Sequence, residues 1–248
     1  MMSRLAKIIL ATTLSITPLV TFSQIGEPRS NIAFGVGTGI NLNSVTFNPS
    51  INQTRLITPS FGAALRITSE KYFSMYCALQ VELNYARLGW KEDIIDMNSQ
   101  PLPDKYKREL DYLQIPLLAR LSWGKETNGP MIYFIAGPQL GYCIGEREKK
   151  SDTWTTIDIM QGGEMVNIPN RPNNMYEQYG KPIDRKFDYG ITAGLGVELN
   201  SKVGHFMIEG RYYFGLADIF DNGKKDLFAR SAHGTIAARI TYMFDIRK

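Results

Sequence analysis

The stretch Phe187-Asp188-Tyr189-Gly190-Ile191-Thr192-Ala193-Gly194-Leu195-Gly196-Val197-Glu198-Leu199 decides the fold. Its odd positions are all apolar, and its even positions hold Asp188, Gly190, Thr192, Gly194, Gly196 and Glu198. A period of two puts these sets on opposite faces of a β-strand, whereas a helix cannot separate them. The end of the chain repeats the device, with Ile236, Ala238, Ile240, Tyr242 and Phe244 on one face and Thr235, Ala237, Arg239 and Thr241 on the other. Six more segments fit the template: 32–42, 59–68, 72–90, 108–123, 130–145 and 204–215. Most are at least as long as the roughly 9–11 residues a tilted strand needs to cross a bilayer. Strands of soluble proteins are commonly about 5–6 residues long.

Short and long connections take turns along the chain. Short links fall at Ser69-Glu70-Lys71, around Gly124 to Asn128 and at Asn200 to Val203; long ones fall near 43–58, 91–107, 146–186 and 216–231. This spacing predicts an all-β fold, an antiparallel eight-stranded up-and-down transmembrane β-barrel over residues 24–248. Its termini and short turns face the periplasm, and its long loops face outward.

Alternation also fits a soluble barrel, so the polar face has to be read. A soluble wall is solvated by Lys and Glu, yet the thirteen Lys residues after position 23 fall in turns, loops or strand ends on this assignment. The polar face instead carries Gly, Ala and Thr with Gln80, Gln114 and Gln139 and the charged set Arg66, Glu82, Arg120, Glu198, Glu209, Arg211 and Arg239. That is lumen content: small residues make room while four Arg and three Glu neutralise one another. It predicts a filled interior held by ion pairs. Tyr72, Tyr85, Trp90, Tyr112, Trp123, Tyr142, Tyr189, Tyr212 and Tyr242, near the strand ends, are assigned to the two interfacial girdles.

The first 23 residues have a different character. Arg4 and Lys7 precede the apolar run Ile8 to Val20, which ends in Thr21-Phe22-Ser23, the pattern of a cleaved secretory signal peptide. Its loss lowers the formal charge from +4 to +2, too little to argue for nucleic acid. The apolar stretch Gly129 to Gly145 is broken by Pro130, Gly137, Pro138 and Gly141 and does not read as a membrane helix. Cys77 and Cys143 fall on opposite faces of non-adjacent strands, so two free thiols are expected.

Candidate chemistry is sparse, with two His in 248 residues. Ser231 and His233, with Asp221 or Asp226 to orient the base, form the one nucleophile–base candidate. Neither His has a second His at metal spacing, and no cofactor motif is present. Gly35, Gly37 and Gly39 alternate in a strand and do not open a helix, unlike a phosphate-binding loop. Loop 146–186 is the candidate for partner contacts, with a hairpin around Gln161-Gly162-Gly163 and apolar Trp154, Met160, Met165, Tyr176 and Tyr179.

Four segments carry a resemblance: Asp111 to Leu118, Ala136-Gly137-Pro138-Gln139-Leu140-Gly141, Phe187-Asp188-Tyr189-Gly190 with Gly194-Leu195-Gly196, and Arg211-Tyr212-Tyr213-Phe214-Gly215-Leu216. Together they resemble the PorT-like family of small outer-membrane β-barrels over most of the mature chain. The C-terminal Tyr242-Met243-Phe244 also resembles the aromatic ending of outer-membrane barrels, although four residues follow it here. The family resemblance implies no catalytic motif. Its name-giving member takes part in type IX protein secretion, which implies a structural or accessory part in an outer-membrane assembly. Pro116 and Pro138 lack an N–H, and each is expected at a bulge or an unpaired ladder position.

The resulting expectation is a non-catalytic barrel in the bacterial outer membrane, without cofactor or nucleic acid. It would contact outer-membrane lipid and, through its loops, other envelope proteins. A surface adhesion or ligand-binding barrel using loop 146–186 stands as the first alternative, and a lipid- or peptide-modifying enzyme as the second.

Overall fold

The strands run further than the apolar alternation that marks them. The computed structural model describes residues 26–96, 98–152, 154–171, 178–220 and 228–247; the signal segment, Tyr176, Asp221 and Asp226 lie outside the described residues. The strands are β1 (Glu27–Asn48), β2 (Gln53–Thr54), β3 (Leu56–Tyr72), β4 (Met75–Ile95), β5 (Pro101–Gly124), β6 (Gly129–Lys150), β7 (Thr156–Gln161), β8 (Glu164–Pro169), β9 (Phe187–Ser201), β10 (Gly204–Gly215) and β11 (Arg230–Arg247).

The expected plain eight-stranded meander is corrected by this count. Eleven strands form among the described residues, nine in one sheet and two, β7 and β8, in a sheet of their own. β2 lies on β4, which therefore has three neighbours, β2, β3 and β5. The fold is a barrel-like all-β domain. Its antiparallel pairings run from β1 through β3, β4, β5 and β6 to β9, β10 and β11, and β11 pairs with β1. Of the added strands, β2 comes from a segment read as a loop, whereas β7 and β8 are the hairpin expected around Gln161-Gly162-Gly163.

One parity holds along β4 and along β1 from Ala33 onward while its chemistry changes partway; on β6 the shift at Asp111/Tyr112 moves the parity by one residue. On β1 the outward set is Phe34, Val36, Thr38, Ile40 and Leu42, followed by Ser44, Thr46 and Asn48. Its inward set is Ala33, Gly35, Gly37, Gly39, Asn41 and Asn43, followed by Val45 and Phe47. β4 inverts likewise. Gln80, Glu82 and Asn84 point inward under Leu79, Val81 and Leu83, and then Ala86, Leu88 and Trp90 become the buried set. Toward the turn end the outer wall is therefore apolar and bare: Ile57 is 66% exposed, Leu195 67% and Ile208 66%. A continuous apolar belt of this extent far exceeds the patches soluble monomers leave in water. Toward the loop end the buried residues form an apolar core that includes Phe47, Leu88, Trp90, Tyr106, Leu110, Ile219, Phe220 and Phe228.

Two smaller readings change. Trp90 and Tyr112 are 0% and 1% exposed and belong to that core, not to a girdle. Lys91, Lys105, Lys107, Lys149 and Lys150 lie within strands, not in loops, because β4, β5 and β6 continue beyond the apolar belt. Pro116 and Pro138 each fall at the expected unpaired ladder position, without a bulge: β4–β5 pairing skips from Val81↔Leu117 to Asn84↔Gln114 and β5–β6 pairing from Pro116↔Gln139 to Ala119↔Ala136, each in one register, and the β5–β6 shift falls at Asp111/Tyr112. Cys77 and Cys143 are both free thiols.

Candidate functional site

The lumen network comes from inward positions of facing strands. Arg211 on β10 grips Glu82 on β4 with two nitrogens, at 2.8 and 2.6 Å, and Glu209 at 2.5 Å. Arg239 Nη2 donates to Asn84 at 3.0 Å and lies 3.7 Å from Glu82, and its Nε lies 3.7 Å from Glu209. Gln80 and Asn84 also donate to Glu82, at 2.6 and 2.9 Å, and Tyr133 donates to Glu209 at 2.9 Å. This half of the network balances two guanidiniums with two carboxylates.

Nearer the turn end, Glu198 takes Arg66 at 2.7 Å and also Arg120, whose guanidinium lies 3.5 Å from the Tyr133 ring centroid. His205 Nδ1 lies 2.6 Å from Asn200 Oδ1 and 2.9 Å from Glu198, and its Nε2 lies 2.9 Å from Asp245. All seven charged residues assigned to the lumen are thus brought together, and each is at most 7% exposed. Beside the network, Met207, Met243, Leu118 and Ile135 fill apolar space. Only a cavity of about 30 Å³ remains around Asn84, Arg211 and Arg239. A cavity of about 460 Å³ lies at the turn end, lined by Arg66, Arg120, Glu198 and His205 among others. The middle of the barrel is plugged by its own side chains.

The long 151–186 connection is tied over the loop end. Arg171 pairs with Asp104 at 3.0 Å, and its guanidinium stacks 4.5 Å from the Trp154 ring centroid. Thr155 donates to Asp104 through N–H and Oγ1 at 2.9 and 3.1 Å. Glu92 accepts from Trp90 Nε1 at 2.9 Å, Gln178 Nε2 at 3.2 Å and Tyr179 Oη at 2.7 Å. Burial pushes the Glu92 carboxyl up, against the pull of these hydrogen bonds. Trp154 and Tyr179 meet edge-to-face, ring centroids 5.0 Å apart, and pack against the apolar core. Two of the loop's assigned aromatics therefore fasten the loop down. Asp104, Glu92 and Arg171 were not singled out in the sequence; inward parity at 92 and 104 is the signal that marks the first two.

Beyond this fastening, β7 and β8 stand out as a hairpin. Gly162 and Gly163, at φ +63° and +90°, make the tight turn that only residues tolerating positive φ accept. Met160 sits opposite Met165 at the tip, 73% and 64% exposed. Asn167 bonds Asp158 at 2.7 Å on that face, while Ile157, Ile159, Val166 and Ile168 share the other.

Ser231 and His233 do come together at the loop end, but inside the core. Ser231 Oγ accepts the Phe220 N–H at 3.3 Å, and His233 Nε2 lies 3.3 Å from Tyr112 Oη. Burial pushes the His233 imidazole down to about 3, far below what a general base at neutral pH needs. The pair is packing, not a catalytic dyad. Among the described residues, no group of three or more His, Cys, Asp or Glu could hold a metal ion.

Belt and plugged lumen together define an outer-membrane β-barrel. The chain belongs to the family described as outer membrane protein beta-barrel domain, whose profile matches residues 22–221. No curated protein matches the chain. Among solved structures it is similar to the N-terminal barrel domain of Pseudomonas aeruginosa OprF, at 9% identity over 88% of this chain and 100% of that one, TM-score 0.35. It is also similar to Neisserial surface protein A, at 13% over 86% and 99%, TM-score 0.37. A third is Ail, the attachment invasion locus protein of Yersinia pestis, at 11% over 87% and 100%, TM-score 0.34. Likeness at this level carries no inference about what the chain binds.

Proposed function

We propose that this protein is a structural or accessory component of an outer-membrane assembly, exported by a cleaved signal peptide at residues 1–23 and acting through its surface and not through its lumen. The observation that carries the reading is a contrast within the molecule. The middle of the barrel is filled down to a cavity of about 30 Å³, while the hairpin tip presents Met160 and Met165 at 73% and 64% exposure. Flexible, exposed Met side chains suit adaptable contacts with another protein, and a hairpin anchored by Arg171–Asp104 is held ready to make them. Outer-membrane lipid would be the partner of the apolar belt. The resemblance of Asp111 to Leu118 and Ala136 to Gly141 to PorT-like barrels supports type IX secretion as the assembly in question.

The test is deletion of the gene, followed by mass spectrometry of released, surface-displayed and periplasmic proteins. Broad periplasmic retention of cargo is expected, and complementation by a chain whose 156–169 hairpin is replaced by a short linker should fail although its barrel still folds. Unchanged export removes the secretion role. The same hairpin favours a second reading, a surface adhesion or ligand-binding barrel. In that case the hairpin-deleted chain loses surface binding while export stays normal.

A further inference from the structure

Above the apolar belt, the outer face of β4, β5 and β6 carries a pattern that neither lumen nor hairpin uses. Lys91 lies directly opposite Lys107 across the β4–β5 ladder, and Lys107 lies directly opposite Lys149 across β5–β6. Residues directly opposite in an antiparallel pair point to the same face with Cβ atoms about 4.5–5.5 Å apart, so three ammonium groups stand in one cross-strand row. Like charges so placed destabilise a sheet. Lys107 has one ion pair, to Glu109 at 2.6 Å, and among the described residues Lys91 and Lys149 pair with no carboxylate.

The neighbouring rows bring their own acids. On the belt side, Arg87 and Arg147 both hold Asp111, at 2.8 and 2.7 Å. On the far side, Lys105 faces Asp93. A chain with a formal charge of only +4 has no compositional reason to stack three lysines in register.

The height of the row narrows what it meets. Tyr85, Leu113 and Ile144 are the last apolar outward residues of the belt on β4, β5 and β6, and the lysines follow six, six and five residues later. At about 3.3 Å per residue and a tilt near 40°, the row stands roughly 15 Å above the hydrocarbon edge. A phospholipid headgroup layer adds only about 5–7 Å per leaflet. The counter-anion must sit on a taller head.

We propose that Lys91, Lys107 and Lys149 bind the phosphorylated sugar headgroup of an anionic glycolipid in the leaflet that surrounds the loop end. The inference rests on the outer-membrane placement and is independent of the hairpin. To test it, the mature chain in neutral detergent is titrated with a lipooligosaccharide phosphorylated in its inner core, with the same material dephosphorylated, and with phosphatidylglycerol. Native mass spectrometry reads bound lipid, and heat-modified gel mobility reads stability.

The phosphorylated glycolipid should bind at least about tenfold more tightly than either comparison, and added salt should weaken it. The triple variant K91Q/K107Q/K149Q should lose that factor. Without glycolipid it should melt at or above the wild type, because the like-charge row is gone; with glycolipid the order should reverse. Lys125→Gln with Lys202→Gln, at the turn end, should change neither readout. Equal binding of the phosphorylated and dephosphorylated forms, equal binding of phosphatidylglycerol, or a triple variant that binds normally overturns the proposal. A triple variant less stable than the wild type without lipid also overturns it, since the lysines would then be structural. A chain absent from the outer-membrane fraction of cells would instead remove the placement on which the proposal rests.

Discussion

The belt and the loop end are built from the same strands with opposite chemistry. Along β5, Leu113, Ile115 and Leu117 point outward over an interior containing Gln114 and Arg120, while nearer the loops Lys105 and Lys107 point outward over Tyr106 and Leu110. Along β5 the alternation does not slip; what changes is the solvent outside. Where lipid surrounds the wall, apolar side chains face out and the lumen must satisfy its polar groups internally, as Glu82 and Arg211 do at 2.6 Å. Where water surrounds it, the hydrophobic effect operates in the ordinary direction, and Phe47, Trp90 and Phe220 form a core inside. One molecule thus has a lipid-facing lower storey held by ion pairs and a water-facing upper storey held by burial.

Four substitutions probe that division, the largest effect first. Glu82→Ala leaves Arg211 and Arg239 with Glu209 as the one carboxylate between them, and should cost about 3–5 kcal/mol, the usual loss for breaking a buried pair from one side. Heat-modified mobility in detergent measures it, and unchanged heat resistance would show that the lumen is not held by charge. Trp90→Ala should cost a comparable or slightly smaller amount, about 3 kcal/mol, but locally. Limited proteolysis should then cut the 178–186 segment faster while the belt amides keep their hydrogen-exchange protection. If both storeys loosen together, the division is wrong.

Leu83→Arg, outward in the belt, should cost about 2–4 kcal/mol in a bilayer. Lys105→Leu, also outward but above the belt, should stay within about 0.5 kcal/mol; similar costs at the two sites would place both in the same solvent.

The smallest effect is a pH dependence of the loop fastening. Burial raises the folded-state pKa of Glu92 above its unfolded value, so the folded state binds the proton more tightly. Stability from this group is complete below the unfolded pKa, near 4.3, and declines as pH rises through the raised folded value. Hydrogen-exchange protection of residues 178–183 should therefore fall as pH rises above the unfolded value. Glu92→Gln keeps acceptors for Trp90 and Tyr179 and should flatten that profile; a profile of the same slope in the variant would assign it to another group.

The lower storey was legible in the sequence because local alternation encodes it. Phe187 to Leu199 states its own faces, and the inward charges on facing strands could be gathered into one lumen without knowing the register. The upper storey was hidden by that same rule. Val45, Phe47, Leu88 and Trp90 keep the inward parity, but an apolar inward residue contradicts a reading in which apolar means lipid, so Trp90 and Tyr112 were assigned to a girdle. Lys91 and Lys107 looked like loop residues for the matching reason. The Arg171–Asp104 pair joins positions 67 residues apart, and no local pattern in either segment points to the other. Pro116 interrupts the β4–β5 ladder and Pro138 the β5–β6 ladder without shifting either register, because losing an N–H removes a hydrogen bond but adds no residue.

The pairing of β1 with β11 also constrains how the molecule is made. Ile32 to Asn48 find their partners between Arg230 and Arg247, so the seam joins the first strand to the last. Until the C-terminal segment arrives, β1 and β10 each present a long open edge, the kind of template on which chains aggregate. Contacts of such sequence separation also form slowly. The final eighteen-residue strand therefore acts as a completion signal as well as a piece of wall: a chain cut short before it would carry two unsatisfied edges and be the form that periplasmic chaperones and proteases are left to handle.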